Sequence, residues 1–137
     1  MTELELIALA KEARTHAYIP YSGFAVGAAL LTKEGKVYQG CNIENASFGP
    51  TVCAERTAFF KAVYDGERDF EAIAVVGGKG GEDPSGLFPP CGVCRQVMRE
   101  FCADDFKVIM GGKGDDYVVM SLAEILPASF SPSDMGK

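Results

Sequence analysis

Two short cysteine motifs set the strongest limit on how this chain can fold. "VCAERTAFF" places Cys53 and Glu55 two residues apart where a helix begins, and "PPCGVCRQV" places Cys91 and Cys94 three apart at another helix start. In a helix, positions i and i+3 lie about 60° apart around the axis, so Cys91 and Cys94 can grip one ion together. Positions i and i+2, such as Cys53 and Glu55, would diverge by about 200° inside a helix. At a helix start the first residue is not yet helical, and both side chains can turn toward the same space. Pro50 and the pair Pro89–Pro90 lead the chain into these two starts. A fold that satisfies both motifs aims two helix N-termini at one point. Their partial positive charge favours thiolates and lowers cysteine pKa values.

The rest of the chain supplies elements to hold such a point. Thr2 and Glu5 have the spacing of a capping box. Leu6, Leu9, Ala10, Ala13 and Ala17 follow at helical spacing, which predicts a helix over 3–17 stopped by Pro20. "FAVGAALLT" (24–32) and "KVYQGCNIE" (36–44) read as a hairpin across the turn-like "KEG". A helix is expected over 54–65, with Ala54, Ala58, Phe59, Ala62 and Val63 inward and Gly66 just past its end. "EAIAVVGG" (71–78) has the continuous apolar character of a central strand buried on both faces. After a Gly- and Pro-rich loop at 79–90, a helix over 91–102 carries Cys94, Val97, Met98 and Phe101 on one stripe. "FKVIMGG" (106–112) and "DYVVMSL" (116–122) are the last two strands, joined by a link short enough for an antiparallel pair. "SLAEILP" closes with a short helix. This order predicts an α/β fold, a three-layer α-β-α arrangement around a mixed five-stranded sheet, in a single domain over 1–137.

Composition narrows the partners. Hydrophobic residues make up 47% and charged residues 23%, a globular balance that excludes a disordered chain. The net charge is −6, and the 13 Lys and Arg are scattered among 19 acids, which disfavours nucleic acid. No apolar run approaches the ~20 residues that span a bilayer. Glu3 and Glu5 stand where a signal peptide would be basic, so a cytoplasmic protein is expected. Five cysteines, an odd number with one tight C-x-x-C, suit metal or redox chemistry better than a disulfide framework.

Counting ligands separates structural from catalytic metal sites. Structural zinc is closed by four protein ligands, whereas catalytic zinc takes three and keeps a position open. The motif pair offers three cysteines and a nearby glutamate. A fourth ligand would have to be His16, Cys41 or Cys102. His16 reads as a partly exposed helix residue, Cys41 as a buried strand residue and Cys102 as helix-end packing, so the open, catalytic site is favoured. Taken alone, the C-x-x-C is equally a redox dithiol or a pair of buried cysteines. A structural zinc module stays open as an alternative from another class. Spacing alone also makes Asn42 and Glu44 a solvated strand face and Phe24 a core residue. It leaves Arg56 evenly split between an exposed helix arginine and a donor to the thiolates.

"CAE" (53–55) with "PCGVC" (90–94) matches the three-cysteine form of the zinc nucleobase deaminase signature, in which the glutamate is not a ligand. With "YSGFAVGAAL", "GCNIENASF", "CAERTA", "PCGVCRQV" and the late "LP-x-x-F", the chain closely resembles the small homotetrameric, zinc-dependent cytidine deaminases over nearly its full length. The resemblance implies Zn2+ held by Cys53, Cys91 and Cys94, with Glu55 as the proton shuttle. It implies Phe24 lining the pocket, Asn42 and Glu44 bonding the ribose hydroxyls, and the backbone of Ala54 touching the pyrimidine. It implies a homotetramer in which Phe130 reaches a neighbouring subunit's site. The implied reaction is hydrolytic deamination of cytidine and 2′-deoxycytidine, a step of pyrimidine salvage. Its enzymatic alternative is deamination of another cytosine-bearing small molecule, such as a nucleoside antibiotic. The implied partner is a small nucleoside, with neither nucleic acid nor membrane. Three thiolates outweigh the charge of zinc, so Arg56, on nearly the same helical face as Cys53, is expected to drain charge from the sulfurs by donating hydrogen bonds to them. Glu55 needs a pKa raised by a low-dielectric pocket.

Overall fold

The computed structural model describes residues 1–137. Its two longest strands are apolar at nearly every position, and that decides how the layers stack. Strand β1 (Phe24–Thr32) and strand β3 (Phe70–Lys79) lie side by side, antiparallel. Successive side chains of a strand point to opposite faces, so a continuous apolar run demands a cover on each side. Ala28, Leu30, Ile73 and Val75 enter one core, while Ala29, Leu31, Ala74 and Val76 enter the other. Helix α1 (Glu3–Ala13) covers the second with Leu6, Ile7 and Ala10. Helices α2 (Ala54–Tyr64), α3 (Gly92–Phe101) and α4 (Leu122–Ile125) cover the first, with Ala58, Phe59, Met98 and Leu122 among the buried residues.

Strands β2 (Val37–Cys41), β4 (Lys107–Gly111) and β5 (Tyr117–Ser121) complete a five-stranded sheet in the order β2-β1-β3-β4-β5. Only β3 and β4 pair in parallel; the other neighbours are antiparallel. The expected mixed sheet with helices on both faces is therefore the architecture found. Because β1 is antiparallel to both β2 and β3, those two strands point the same way. Their carboxyl ends share one edge of the sheet. The chain enters α2 after leaving β2 and enters α3 after leaving β3, so both helix starts fall at that edge. Ligands of open α/β sheets bind outside the carboxyl ends of the strands.

Two expected boundaries move. The first helix ends at Ala13 rather than 17, followed by a 3₁₀ turn at Arg14–His16. Beyond it Ala17 is extended, and the N–H of Tyr18 bonds the carbonyl of Asn42, so a long-range bridge ends the helix before Pro20 can. The second strand of the hairpin stops at Cys41 rather than 44. Past that point Ile43 bridges Tyr18 and Val52, and Asn42 bonds β1 through its backbone N–H, to the Val26 carbonyl, and through its side chain. Val63, expected inward on α2, is only half-buried.

Candidate metal centre and active site

Cys53 and Cys91 are the residues just before α2 and α3, and both have extended backbone (φ −71°, ψ 156° and φ −70°, ψ 165°). Neither side chain caps its own helix, which leaves both sulfurs free to turn inward. Cys94, one turn into α3, is 1% exposed and faces the core. The three Sγ atoms lie within 4.8 Å of one another, and Cys53 and Cys91 are 3.7 Å apart. A tetrahedral zinc with bonds of ~2.3 Å spaces its sulfurs by ~3.8 Å, so the cluster fits that ion. No further His, Cys, Asp or Glu joins the group.

The other thiols and the histidine stand apart. His16 is exposed. Cys41, expected to be buried, is only half-buried because β2 is an edge strand. Cys102 terminates α3, and burial pushes its thiol up to about 12.

Charge around the cluster is arranged unevenly. The bond between the Cys53 and Cys94 thiols foremost, with bonds from Arg56 and Cys91, lowers Cys53 to about 5 against the effect of burial. The same bond, with burial, pushes Cys94 up. Arg56 Nη2 lies 3.5 Å from Cys53 Sγ and 3.5 Å from the Thr51 carbonyl. Glu55 is 2% exposed, and its Oε1 has no hydrogen-bond partner. Burial raises its pKa to about 7, and the Cys53 thiolate adds to the rise. A buried carboxyl of that kind suits proton transfer near neutral pH.

The remaining predicted residues form a rim beside this centre. Ala54, fully buried, opens α2. Phe24, 38% exposed, packs its ring 5.5 Å from that of Phe88. Asn42 accepts from the N–H of Val26 through Oδ1 (3.0 Å) and donates through Nδ2 to the Phe24 carbonyl (2.9 Å). Glu44 Oε1 accepts from the N–H groups of Tyr21 and Ser22, 3.1 Å each, while Ser22 Oγ donates to Oε2. Those bonds, Ser22 foremost, hold the Glu44 carboxyl below its ordinary range. Phe130 is 61% exposed and belongs to no cluster within its own chain. Its carbonyl accepts from Gln96 Nε2 at 2.8 Å, which ties the tail to α3.

Sequence reasoning missed three supporting residues. Phe88 lies over Gly77, where a Cβ would come within 2.7 Å of the ring. Arg95 donates to the carbonyls of Pro90 (2.8 Å) and Ile125 (2.7 Å), which pins the approach to Cys91. Ser22 is the third. Phe88 and Arg95 adjoin the cysteine motif in "LFPPCGVCR", and that adjacency was the available signal.

Residues 1–110 match the cytidine and deoxycytidylate deaminase zinc-binding region. The cytidine deaminase of Halalkalibacterium halodurans is 53% identical over 130 residues, covering 95% of each chain. That of Sporosarcina psychrophila is 50% identical over 131 residues, 96% of this chain and 93% of the relative. The crystal structure of cytidine deaminase from Burkholderia pseudomallei superposes with a TM-score of 0.87 at 49% identity, covering 95% of this chain and all (100%) of that one. The chain belongs to the cytidine and deoxycytidylate deaminase family of zinc-binding enzymes. No helix is long and apolar enough to cross a membrane.

Proposed function

We propose that this chain hydrolyses the exocyclic amine of cytidine and 2′-deoxycytidine, giving the uracil nucleoside and ammonia, as a cytoplasmic step of pyrimidine salvage. The observation that carries the reading is the buried Glu55 carboxyl, unpartnered at Oε1, beside three converging thiols that fit zinc. Cys53, Cys91 and Cys94 are the zinc ligands in this reading. Zinc, when bound, supplies a Lewis acid that acidifies water. Glu55 takes one proton of the attacking water and passes it to ring N3; it then takes the other from the new C4 hydroxyl and gives it to the departing amine, which leaves C4 as a carbonyl. A pKa of about 7 lets one carboxyl both accept and give. Arg56 offsets the charge of the thiolates through its contact with Cys53. Phe24 walls the base, the backbone of Ala54 meets the pyrimidine, and Asn42 with Glu44 holds the sugar.

The whole chain acts as one domain and assembles as a homotetramer in the same proposal. A groove of about 580 Å³ lined by Ile43, Val52, Phe60 and Tyr64 supports assembly, and it shares Glu44 with the sugar end of the site. Phe130, exposed on a tail anchored to α3, reaches a neighbour's pocket. A cytoplasmic setting agrees with three clustered thiols that must stay reduced to hold metal.

The test is ammonia release from a panel of nucleosides. Cytidine and 2′-deoxycytidine should be consumed, with adenosine and single-stranded DNA untouched. Deamination of oligonucleotides at a rate comparable to the free nucleoside would overturn the substrate assignment.

A further inference from the structure

We propose that Ser22 is a positioning residue for the sugar end of the site, its hydroxyl locking the Glu44 carboxylate and the Phe24 wall into one register. The inference rests on the reading of Glu44 as a sugar contact. Ser22 Oγ donates to Glu44 Oε2 and accepts from the N–H of Phe24 at 3.0 Å. Glu44 Oε1 meanwhile accepts from the N–H groups of Tyr21 and Ser22. One carboxylate thus closes the whole turn from Tyr21 to Phe24. That turn is bent at Gly23, whose φ of 68° suits glycine.

The bonding leaves a defined remainder. An ionised carboxylate has about four lone-pair positions, and the turn fills three, so Glu44 has one acceptor left on Oε2. The backbone of β1 uses one lone pair of Asn42 Oδ1 and one hydrogen of Nδ2, so its amide keeps one N–H to donate and one lone pair on Oδ1. A substrate meets the open Oε2 position of Glu44 beside the open N–H of Asn42. One sugar hydroxyl matches that pair, donating its hydrogen to Glu44 while accepting from Asn42. Without the Ser22 hydroxyl, Oε2 loses its tether and the Phe24 N–H loses its acceptor, so the carboxylate can swing toward water. Residues 21–24 are all exposed and lie outside both cores, so the hydroxyl serves the site rather than the fold.

The experiment compares Ser22→Ala, Ser22→Thr and Glu44→Gln with the unmutated enzyme. Kinetics are measured with cytidine, and 2′,3′-dideoxycytidine is read by its inhibition constant against cytidine. Ser22→Ala should raise KM for cytidine about tenfold while kcat stays within about twofold, the pattern of lost binding through a charge-assisted bond. The dideoxy compound, which has neither hydroxyl, should bind Ser22→Ala within about twofold of its original strength. Ser22→Thr keeps a hydroxyl and should recover most of the lost affinity. Glu44→Gln should lose affinity for cytidine selectively, which checks the sugar reading on its own. If Glu44→Gln is selective but Ser22→Ala changes neither ligand, or weakens both equally, the role of Ser22 is overturned and the sugar reading stands. If Glu44→Gln shows no selectivity, both are overturned. A Ser22→Ala protein that melts far below the unmutated one marks the hydroxyl as a folding element, and that too overturns the inference.

Discussion

Glu55 and the three cysteines sit within one turn of two helix starts, yet they answer to different tests. A carboxylate that binds metal and one that carries protons both lose activity when changed to the amide. Only the first also loses metal. Glu55 is buried, unpartnered at Oε1 and outside the sulfur cluster, so Glu55→Gln should fold and retain about one zinc per chain. General acid–base groups contribute about 10²–10⁴-fold, and one that serves several transfers belongs at the upper end, so turnover should fall by at least ~10⁴-fold. Zinc and turnover measured on one sample decide it; a zinc-free or near-normal variant would refute the shuttle. The cysteines should behave in the opposite way. Replacing Cys53, Cys91 or Cys94 with Ala should remove most of the zinc, because each would supply one of three ligands in the proposed site. Cys102→Ala, at the far end of α3, should keep it. Elemental analysis that found zinc in Cys53→Ala but not in Cys102→Ala would reverse the assignment.

The elements carry those residues to one place, and the closest contact in that carriage is at Gly40. A Cβ there would lie 2.4 Å from the Ala54 carbonyl and 2.5 Å from the Ala58 nitrogen, so α2 can rest on β2 only over glycine. Gly40→Ala must push the first turn of α2 outward, and Cys53 and Glu55 move with it. Overpacking of this kind costs about 1–3 kcal/mol, readable as a lower denaturant midpoint, and zinc retention should fall as well. Gly49→Ala, which meets nothing within 4 Å, should stay within about 0.5 kcal/mol and keep its zinc. Equal behaviour of the two variants would show that the close approach does not set the site. The same scale explains what could be read in advance. The central strands and the stripe of α3 follow local periodicity, and cysteines just ahead of two helices can be placed by spacing alone. The early end of α1 and the short β2 depend on Tyr18 meeting Asn42 and Ile43, contacts between residues far apart in sequence. Ser22 escaped notice for a similar reason: its partner is a remote carboxylate, which no local pattern announces. Arg95 has one partner close by, Pro90, and one remote, Ile125.

At the scale of the whole molecule, two features of the chain have no use within it. Phe60 and Tyr64, on the outer side of α2, are 51% and 91% exposed, and both line the groove that reaches Glu44. Phe130 stands out at 61% exposure on a tail fastened to the helix that follows Cys91. The proposed homotetramer would account for both: a neighbour would cover the groove, and an aromatic side chain from one subunit would complete another's pocket. Phe60→Asp separates this reading from that of a self-sufficient monomer. The position is exposed in the isolated chain, so the charge should cost folding little. Inside an interface the same carboxylate would be buried without a partner, at a cost of several kcal/mol, which is enough to dissociate subunits. The three clustered cysteines proposed as ligands belong to one chain, so zinc should remain near one per subunit. Sedimentation should therefore shift from tetramer toward smaller species, with turnover falling in step and zinc content unchanged. A Phe60→Asp protein that sediments as a tetramer, or a fully active monomer of either protein, would remove the assembly from the account of the site.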